Sequence, residues 1–436
     1  MLVLPRGDAS GISDGKTRIN QYIADAIVLA DKAQFINENA TWDIASGHAG
    51  YSLLFTHLAR AMKSVEFDDT SIDWVVRCSH KHLLSAAEAL RQSSEIGFGL
   101  FDGLAGYVFA LHSFDKLTKH SGGRSVRMAD ALRDKIFDEI SDHNAEIKFH
   151  QPSYDVISGL AGVLSACQFV SPSRDQKRLL PIYRALAVGA NRPSQSFFFL
   201  RDNFPSQELA RHYPNGYIDL GVAHGVAGII PRLINAGGTG IDQFPAFHDL
   251  NPLISWAITA SISTNGVGVW PNSDEPQEEI SPSGLDSRWC YGRLAQIANY
   301  LTLPPEFLLN ADLDNIYSYL DDMLTPEKIE DTAAATSATR NFGICHGLSG
   351  FLLTVEFLLS MDSRISADAR FHIRQVISRW ADKLEVTGTY RDIVMQNSLY
   401  SGLLNGGVGV LLTKLSLLCH QCERNRRELK ILFFGV

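Results

Sequence analysis

Two cysteines and one histidine have types and spacing that could bind a metal ion. Cys290 lies in the stretch WCYG, and Cys345 lies in the stretch CHG, where His346 follows it directly. Each cysteine stands two residues before a glycine that opens a similar segment, so the two thiols share one register. Two thiolates and one imidazole are three zinc ligands, and a site with three protein ligands leaves a fourth position for substrate. Singly, each thiol is also compatible with a small buried residue, but the matched register favours a metal site.

The same register recurs along the chain and predicts a helical repeat. Seven similar segments begin with a glycine, and in six of them a second glycine follows three residues later. The first glycines are Gly47, Gly103, Gly159, Gly225, Gly292, Gly347 and Gly406. The units are 55 to 67 residues long, a length typical of two helices and a loop. Glycine pairs at a helix start predict that another backbone approaches closely there.

Seven helical hairpins allow either an open solenoid or a closed ring. No polar terminal cap is evident, and the last unit is as apolar as the middle ones, which favours closure. We therefore expect an all-α fold, an α,α-toroid of about seven hairpins with seven inner and seven outer helices. Residues 1–436 are expected to form a single domain, with the aromatic segment 191–216 as a loop bordering the cleft.

In a closed ring, the first turns of the inner helices face a common centre, so the residues just before the glycines become candidates for chemistry. The residues directly before the first glycines are Ser46, Asp102, Ser158, His224, Tyr291, His346 and Asn405. Four residues before the first glycines lie Asp43, Gly99, Asp155, Gly221, Arg288, Gly343 and Gly402. The reactive types concentrate in units three to six.

Composition excludes several classes of protein. The chain is 45% hydrophobic and 20% charged, which permits a large core, and its formal charge of −9 without a basic block argues against nucleic-acid binding. The first residues lack the charged and apolar regions of a signal peptide, and no apolar run is long enough to cross a bilayer. The six cysteines are irregularly spaced, so we expect reduced thiols and a cytoplasmic location.

The other thiols and one further histidine receive structural interpretations. Cys419 and Cys422 have metal-like spacing but no second pair nearby, and Cys78 and Cys167 lie within apolar helical patterns. His48 has a suggestive place in SGHAG, but a lone histidine is more often structural.

At these motifs the chain resembles the lanthionine synthetase C family, the LanC-type cyclases of lanthipeptide biosynthesis. The matching stretches are YDVISGLAG from Tyr154, YPNGYIDLGVAHGVAG from Tyr213, WCYG and CHG. The resemblance implies an α,α-toroid, which agrees with the closed ring. The sequence departs from the family pattern at one place, since RLA follows WCYG where a small residue, Pro and Gly are usual.

The resemblance also implies roles for particular residues. One zinc ion per chain would be held by Cys290, Cys345 and His346, and the active-site histidine, aspartate and tyrosine carry over to His224, Asp155 and Tyr291. The family arginine stands about four residues before the cysteine, where this chain has Asp286, so Arg288 is the nearest candidate. For Asp155 alone, capping of a helix is an alternative role.

The implied reaction adds a peptide cysteine thiol to dehydroalanine or dehydrobutyrine and forms lanthionine or methyllanthionine rings. The length suits a stand-alone cyclase that acts after a separate dehydratase, and the implied partners are a dehydrated precursor peptide with its leader, that dehydratase and a transporter in a membrane-associated complex. Three alternatives remain: a LanC-like protein that joins glutathione to dehydrated residues, a non-catalytic zinc-bound scaffold that presents peptide, and a toroidal glycosidase using Asp43 and Asp155.

Overall fold

The computed structural model describes most of the chain. The described residues are 17–27, 29, 41–118, 123–142, 154–170, 198–199, 217–237, 251–263, 267–268, 287–384, 402–418 and 423–435. The α-helices in chain order are α1 (17–27), α2 (His48–Ser64), α3 (Asp69–Gln92), α4 (Leu104–Thr118), α5 (Arg124–Asp142), α6 (Leu160–Val170), α7 (Val226–Gly237), α8 (Asn251–Ser263), α9 (Arg293–Tyr300), α10 (Asn310–Met323), α11 (Pro326–Ala338), α12 (Leu348–Met361), α13 (Ala367–Lys383), α14 (Gly407–Leu418) and α15 (Glu423–Phe434).

Seven of these helices form a closed inner ring. They are the helices that start next to the repeat glycines: α2, α4, α6, α7, α9, α12 and α14. Each packs against the next one along the chain, and α14 packs against α2. Most of their sequences are largely apolar, as in LSGFLLTVEFLLSM of α12, because each helix packs on several sides, whereas RLAQIANY of α9 carries buried polar side chains. The predicted toroid is confirmed, and the ring is closed rather than open.

Backbone hydrogen bonds between the turns that precede the inner helices form a second closed circuit. Each bond joins the turn before one inner helix to the turn before the next inner helix, and the bonded residues lie two or three places before the first glycine of their unit. Ala45 N donates to Phe101 O at 2.9 Å, and Cys345 N donates to Leu404 O at 2.8 Å. Leu403 N donates to Ala45 O at 2.6 Å and closes the circuit. These bonds fix the entry of each inner helix relative to the next.

The repeat glycines are required by close backbone contacts. A Cβ atom on Gly47 would lie 2.2 Å from Thr41 O, and one on Gly50 would lie 2.4 Å from Ile44 O. The expected close approach is therefore present, but the approaching backbone belongs to the unit's own preceding turn. At Gly402, four residues before a first glycine, the contact is with the neighbouring unit, since a Cβ there would lie 2.2 Å from Ala45 O.

Most of the outer helices among the described residues are amphipathic, and α8, with the largely apolar sequence NPLISWAITASIS, is an exception. The outer helices are α1, α3, α5, α8, α10, α11 and α13. Helix α3 begins after Asp68, whose carboxylate accepts from Ser71 N at 2.8 Å, and its buried residues recur at helical spacing from Ile72 to Ala86. At the ring closure, Leu29 O accepts from the Tyr51 hydroxyl at 3.4 Å and Tyr22 lies under Lys414, so the first helix covers α2 and α14.

The last helix, α15, lies inside the ring rather than outside it. The carboxylate of Glu428 contacts His57 Nε2 at 2.9 Å and accepts from Arg60 Nη1 at 2.7 Å, both on α2, and from Ser113 Oγ of α4 at 2.6 Å. Burial opposes ionisation of Glu428, but the hydrogen bond from His57 and the charge of Arg60 lower its pKa to about 2. A buried ion pair thus anchors this helix to two inner helices.

The C-terminal half of α15 contacts the other side of the ring. Leu432 O accepts from Arg232 Nη2 of α7 at 3.3 Å, and Phe433 O accepts from the Trp289 indole at 3.0 Å. Phe434 stacks on Phe357 of α12 with ring centroids 4.1 Å apart. Because its partners surround it, α15 fills the bore and lies beneath the turn that carries Cys290.

A small antiparallel sheet joins two strands that precede α7 to one strand that follows α8. Its strands are β1 (Phe198–Phe199), β2 (Tyr217–Asp219) and β3 (Val267–Gly268), with β2 in the middle, and Ile218 pairs with Gly268. The sheet places Asp219 just before the turn into α7. Apart from β1, segment 191–216 lies outside the described residues, so its position beside the cleft and the single domain stay predictions. Among the described helices, none is long and apolar enough to cross a membrane.

Candidate metal centre and active site

The structure brings the three predicted metal ligands together. Cys290 precedes α9, and Cys345 and His346 precede the next inner helix, α12. The ligand atoms of all three lie within 4.8 Å of one another, and Cys345 Sγ is 3.9 Å from His346 Nε2. The backbone supports this arrangement, since Cys290 N donates to Cys345 O at 3.2 Å. Two adjacent units thus converge on one point.

His346 is oriented by the following unit. Its Nδ1 lies 3.3 Å from Asn405 Oδ1, so Nδ1–H donates to the amide oxygen and the lone pair of Nε2 faces the thiols. A metal-binding histidine commonly has such a partner on its other nitrogen, which fixes the tautomer and the ring orientation. Asn405 occupies the same register as His346, one unit further along the chain.

The electrostatics of the cluster favour a cation between the sulfur atoms. Cys290 is 1% exposed and Cys345 is 7% exposed. Contact with the Cys345 thiol and burial both raise the pKa of Cys290 well above its ordinary value, because a second negative charge would be placed beside the first in a poorly solvated position. A divalent cation relieves this repulsion, and a coordinating thiol is deprotonated by the metal.

The chemistry and spacing of the donor atoms fit zinc. Tetrahedral zinc with sulfur and nitrogen ligands places the donor atoms roughly 3.5–3.8 Å apart, close to the 3.9 Å between Cys345 Sγ and His346 Nε2. Magnesium and calcium prefer oxygen ligands, which this cluster lacks among the described residues. The three residues can therefore hold a zinc ion and leave one position for a fourth ligand.

His224 and Asp155 form a second pair next to this cluster. His224 Nδ1 lies 2.7 Å from Asp155 Oδ2, while Asp155 Oδ1 accepts from Ser158 N at 2.7 Å and from Gly159 N at 2.9 Å. Asp155 therefore caps its own turn with one oxygen and orients His224 with the other. Val222 N donates to Cys290 O at 2.7 Å, which ties the turn of His224 to the metal-binding turn.

The environment of His224 favours its charged form. Burial lowers the pKa of His224, but the hydrogen bond and charge of Asp155, followed by the charge of Asp219, outweigh burial and raise that pKa above its ordinary value. With Nδ1–H donated to Asp155, Nε2 is the atom that can deliver a proton.

Asp219 is a site residue that the sequence analysis missed. Its Oδ2 accepts from the Tyr291 hydroxyl at 3.1 Å, and its Oδ1 accepts from Gly221 N at 2.7 Å. Burial raises the pKa of Asp219, although the charge of His224 and the hydrogen bonds from Gly221 and Tyr291 oppose that shift. Gly221 makes room for this arrangement, because a Cβ there would lie 2.8 Å from the Tyr291 ring. A lone carboxylate inside the apolar stretch YIDLGVA was the available signal.

Arg288 lies at the edge of the metal cluster. Contact with Cys290 raises the pKa of His346, and burial and the positive charge of Arg288 oppose that shift. Its backbone carbonyl accepts from Gly292 N at 2.7 Å. Asp286, the residue at the spacing of the family arginine, lies outside the described residues.

The remaining sequence candidates lie apart from this centre. His48 Nδ1 is 3.1 Å from His82 Nδ1, and the His82 ring stacks on Tyr51, which suits a packing role. Cys167 is buried in α6, and burial raises its pKa to about 12, as expected for an inert core thiol. Cys419 and Cys422 lie outside the described residues.

Comparison with known proteins agrees with this geometry. Residues 38–427 match the lanthionine synthetase C-like protein family. The chain belongs to that family. Over 210 residues it is 28% identical to the nisin biosynthesis protein NisC of Lactococcus lactis subsp. lactis, an alignment that covers 46% of this chain and 48% of NisC. The match thus spans about half the length of that relative.

A solved structure extends the likeness in fold over nearly the whole chain. A nisin cyclase superimposes with a TM-score of 0.62 at 18% sequence identity, covering 97% of this chain and 98% of that one. At this identity the likeness concerns the fold, and the two share the α,α-toroid. For the lanthionine synthetase C-like family, the ring around Cys290, Cys345 and His346 is therefore the expected scaffold.

Proposed function

We propose that this LanC-like protein is a zinc-dependent lanthipeptide cyclase, a lanthionine synthetase that closes thioether rings in a dehydrated precursor peptide. A cysteine sulfur forms a bond to the β-carbon of dehydroalanine or dehydrobutyrine, the thiol proton is lost, and the α-carbon gains a proton. The main support is the convergence of a two-sulfur, one-nitrogen metal cluster with a carboxylate-oriented histidine in adjacent turns.

The thiol must be activated, because a free thiol with a pKa near 8.5 is mostly protonated at neutral pH. When bound by Cys290, Cys345 and His346, zinc supplies Lewis-acid activation of a thiol in its fourth position. The chain contributes the donor set, its register and the Asn405 contact that holds the His346 ring.

We assign to His224 the role of proton donor. Addition at the β-carbon leaves an enolate that must be protonated at the α-carbon, and His224 Nε2 is the donor that the Asp155 contact leaves available. Asp155 holds the tautomer and sustains the imidazolium form. The raised pKa of His224 keeps a useful fraction of that form near neutral pH.

We assign to Arg288 and Tyr291 the stabilisation of the negative charge that develops on the carbonyl oxygen. Arg288 brings a permanent positive charge to the edge of the cluster. Tyr291, one residue beyond Cys290, donates its hydroxyl hydrogen to Asp219 in this structure, and it would turn that hydrogen to the carbonyl oxygen as the negative charge develops.

The proposed substrate is a dehydrated precursor peptide that still carries its leader. We further propose that a separate dehydratase supplies it and that a transporter takes the product, in a cytoplasmic complex at the inner face of the membrane. These partners follow from the family chemistry, since dehydration must precede ring closure.

The test is turnover by purified, zinc-loaded protein. A leader-bearing peptide with dehydroalanine and cysteine would be incubated with the protein, and free thiols counted by alkylation and mass spectrometry, because ring closure leaves the mass unchanged. Loss of alkylatable cysteine far above the rate without protein is expected. Transfer of glutathione to the same peptide, with its cysteines left free, would favour the glutathione alternative, and no turnover of either would favour the scaffold.

A further inference from the structure

A cavity lies away from the metal centre, near the ends of α4, α6 and α7. It has a volume of about 620 Å³ and runs along α15. Its walls include Lys116, Phe169, Arg424 and Arg427, with Asn235 at the side. The metal ligands precede α9 and α12 and do not line it.

The cavity concentrates positive charge in an acidic protein. Among the described residues, Lys116, Arg424 and Arg427 form no ion pair, whereas the buried Glu428 is already engaged by His57 and Arg60. The chain as a whole carries a formal charge of −9, so three converging cations without a carboxylate partner are unusual here. Two carboxylates also line the cavity: Glu428, which is buried and attracts Lys116 and Arg424, and Glu423, which is exposed, as Arg424 and Arg427 are.

The cations also destabilise one another. Burial, followed by the charge of Arg424, lowers the pKa of Lys116. Burial, followed by the charge of Arg60, lowers the pKa of Arg424. Like charges gathered in a partly desolvated space cost free energy that a bound anion would offset.

We propose that this cavity is a binding site for a small oxyanion-bearing molecule of the phosphate or polycarboxylate class. Arg424 and Arg427 offer planar forks that suit bidentate contact with such oxygens, and Lys116 offers a point charge from the opposite wall. Lys116 Nζ lies 4.4 Å from the Phe169 ring centroid, so the Phe169 ring supplies an apolar part of the wall beside this charge. The volume is within the range of small-molecule pockets, about 300–1,000 Å³.

The site is independent of the cyclase proposal. Its ligand would bridge α15 to α4, and therefore stabilise the seating of the central helix without contact with the metal ligands. The double variant Lys116→Gln/Arg424→Gln removes two of the cations. A matched control, Arg77→Gln/Lys328→Gln, removes the same charge from exposed positions on α3 and α11.

The probes are inorganic phosphate and citrate, each titrated calorimetrically into the zinc-loaded protein against chloride of equal ionic strength. Saturable binding of one equivalent is expected for at least one probe, and the stronger of the two identifies the class of anion. The double variant should bind at least about tenfold more weakly, as expected for lost charge-assisted hydrogen bonds, while the control binds as the parent does. Without either anion, the double variant should unfold at the same or a higher temperature, because repulsion is relieved.

Two results would overturn the proposal. One is the absence of saturable binding for both probes at millimolar concentration. The other is equal binding by the parent and the double variant, which would assign the anion to the metal centre or to the general surface. Both variants should retain zinc and ring closure, so failure of the anion site and failure of the cyclase proposal are separable.

Discussion

Asp43 and Asp155 occupy the same register, in the turns before α2 and α6, yet only one of them reaches a reactive side chain. Asp43 Oδ1 accepts from Ser46 N at 2.7 Å and from Ser46 Oγ at 3.2 Å. Asp155 makes the same backbone contact with Oδ1 but directs Oδ2 to His224 at 2.7 Å. The turn supplies a capping aspartate in both units, and the neighbouring unit decides whether that aspartate also serves chemistry.

A similar difference separates two arcs of the ring, a first arc of units one to three and a second arc of units four to six. Directly before their first glycines, units one to three carry Ser46, Asp102 and Ser158, whereas units four to six carry His224, Tyr291 and His346. In the first arc the Asp102 carboxylate accepts from the Ser158 hydroxyl, a contact between turns. At this position the first three units thus carry side chains that support the turns, whereas the next three carry the side chains proposed for chemistry, and Asp155 of unit three links the two groups through His224.

Removal of a metal ligand should give the largest difference between a variant in the second arc and a matched variant in the first. Cys345→Ala leaves two of three donor atoms, so zinc binding and ring closure should fall together to the rate without enzyme. The matched control is Cys167→Ala, a buried thiol of α6 in the first arc, which should keep both. Zinc content by elemental analysis and alkylation of free cysteines measure the effect. Full zinc in Cys345→Ala would remove this residue from the metal centre.

Removal of the proton donor should leave the metal in place. His224→Asn should keep zinc and bind dehydrated peptide, but close rings about 10²–10⁴-fold more slowly, the usual contribution of a general acid. The measurement is the single-turnover rate with zinc content determined on the same sample. Closure at the parent rate would show that the proton comes from elsewhere, with Tyr291 as the next candidate.

The two aspartates should respond differently to the same substitution. Asparagine can still accept the capping hydrogen bonds, so Asp43→Asn should leave ring closure unchanged, while Asp155→Asn should slow it by about 10- to 100-fold, as for other orienting partners. The rate of each variant relative to the parent is the readout. Equal rates for the two variants would mean that Asp155, like Asp43, is a capping residue.

Asp155→Asn should also change the pH dependence. Asp155 raises the pKa of His224, so the imidazolium form persists to higher pH. If ring closure needs the imidazolium, its rate falls as the pH rises through the pKa of His224. Without the carboxylate charge, burial, which lowers this pKa, gains weight, so the fall should move to lower pH. A pH–rate profile measures it. An unmoved alkaline limb would contradict the proposed protonation state of His224.

The smallest effect is expected at Asp219. Asp219→Ala and Tyr291→Phe each remove one partner of the hydrogen bond from the Tyr291 hydroxyl to the Asp219 carboxylate, so both should slow closure moderately, and the double variant should be little slower than the worse single variant. A double-mutant cycle in kcat and KM tests this coupling. Fully additive losses would indicate that the two side chains act separately.

The glycine register made much of the fold and the metal centre predictable. A unit that recurs seven times, with apolar segments after each glycine, has few ways to bury its surfaces, and ring closure follows from the absence of terminal caps. Cys290, Cys345 and His346 share that register, so alignment of the units alone brings them together.

Features outside the register were not predictable in this way. Asp219 enters the site from a three-residue strand whose pairing partners are distant in sequence. The location of α15 was also hidden, because ERNRRELKILFF has the composition of a surface helix. Its burial depends on Glu428 meeting His57 and Arg60 from the first unit, a contact across the whole chain.

The central position of α15 has a consequence for how the protein is made. All seven inner helices precede it in the chain, so a ribosome releases the complete wall of the ring before the helix that fills it. Until then, Arg60 lacks its counter-ion, His57 lacks its hydrogen-bond partner, and Trp289 and Phe101 lack the Phe433 ring that packs against them. A chain interrupted between α14 and α15 would therefore carry every metal ligand and His224 but would expose an unfilled, partly charged bore, a species for proteolysis or chaperone capture rather than a shorter enzyme.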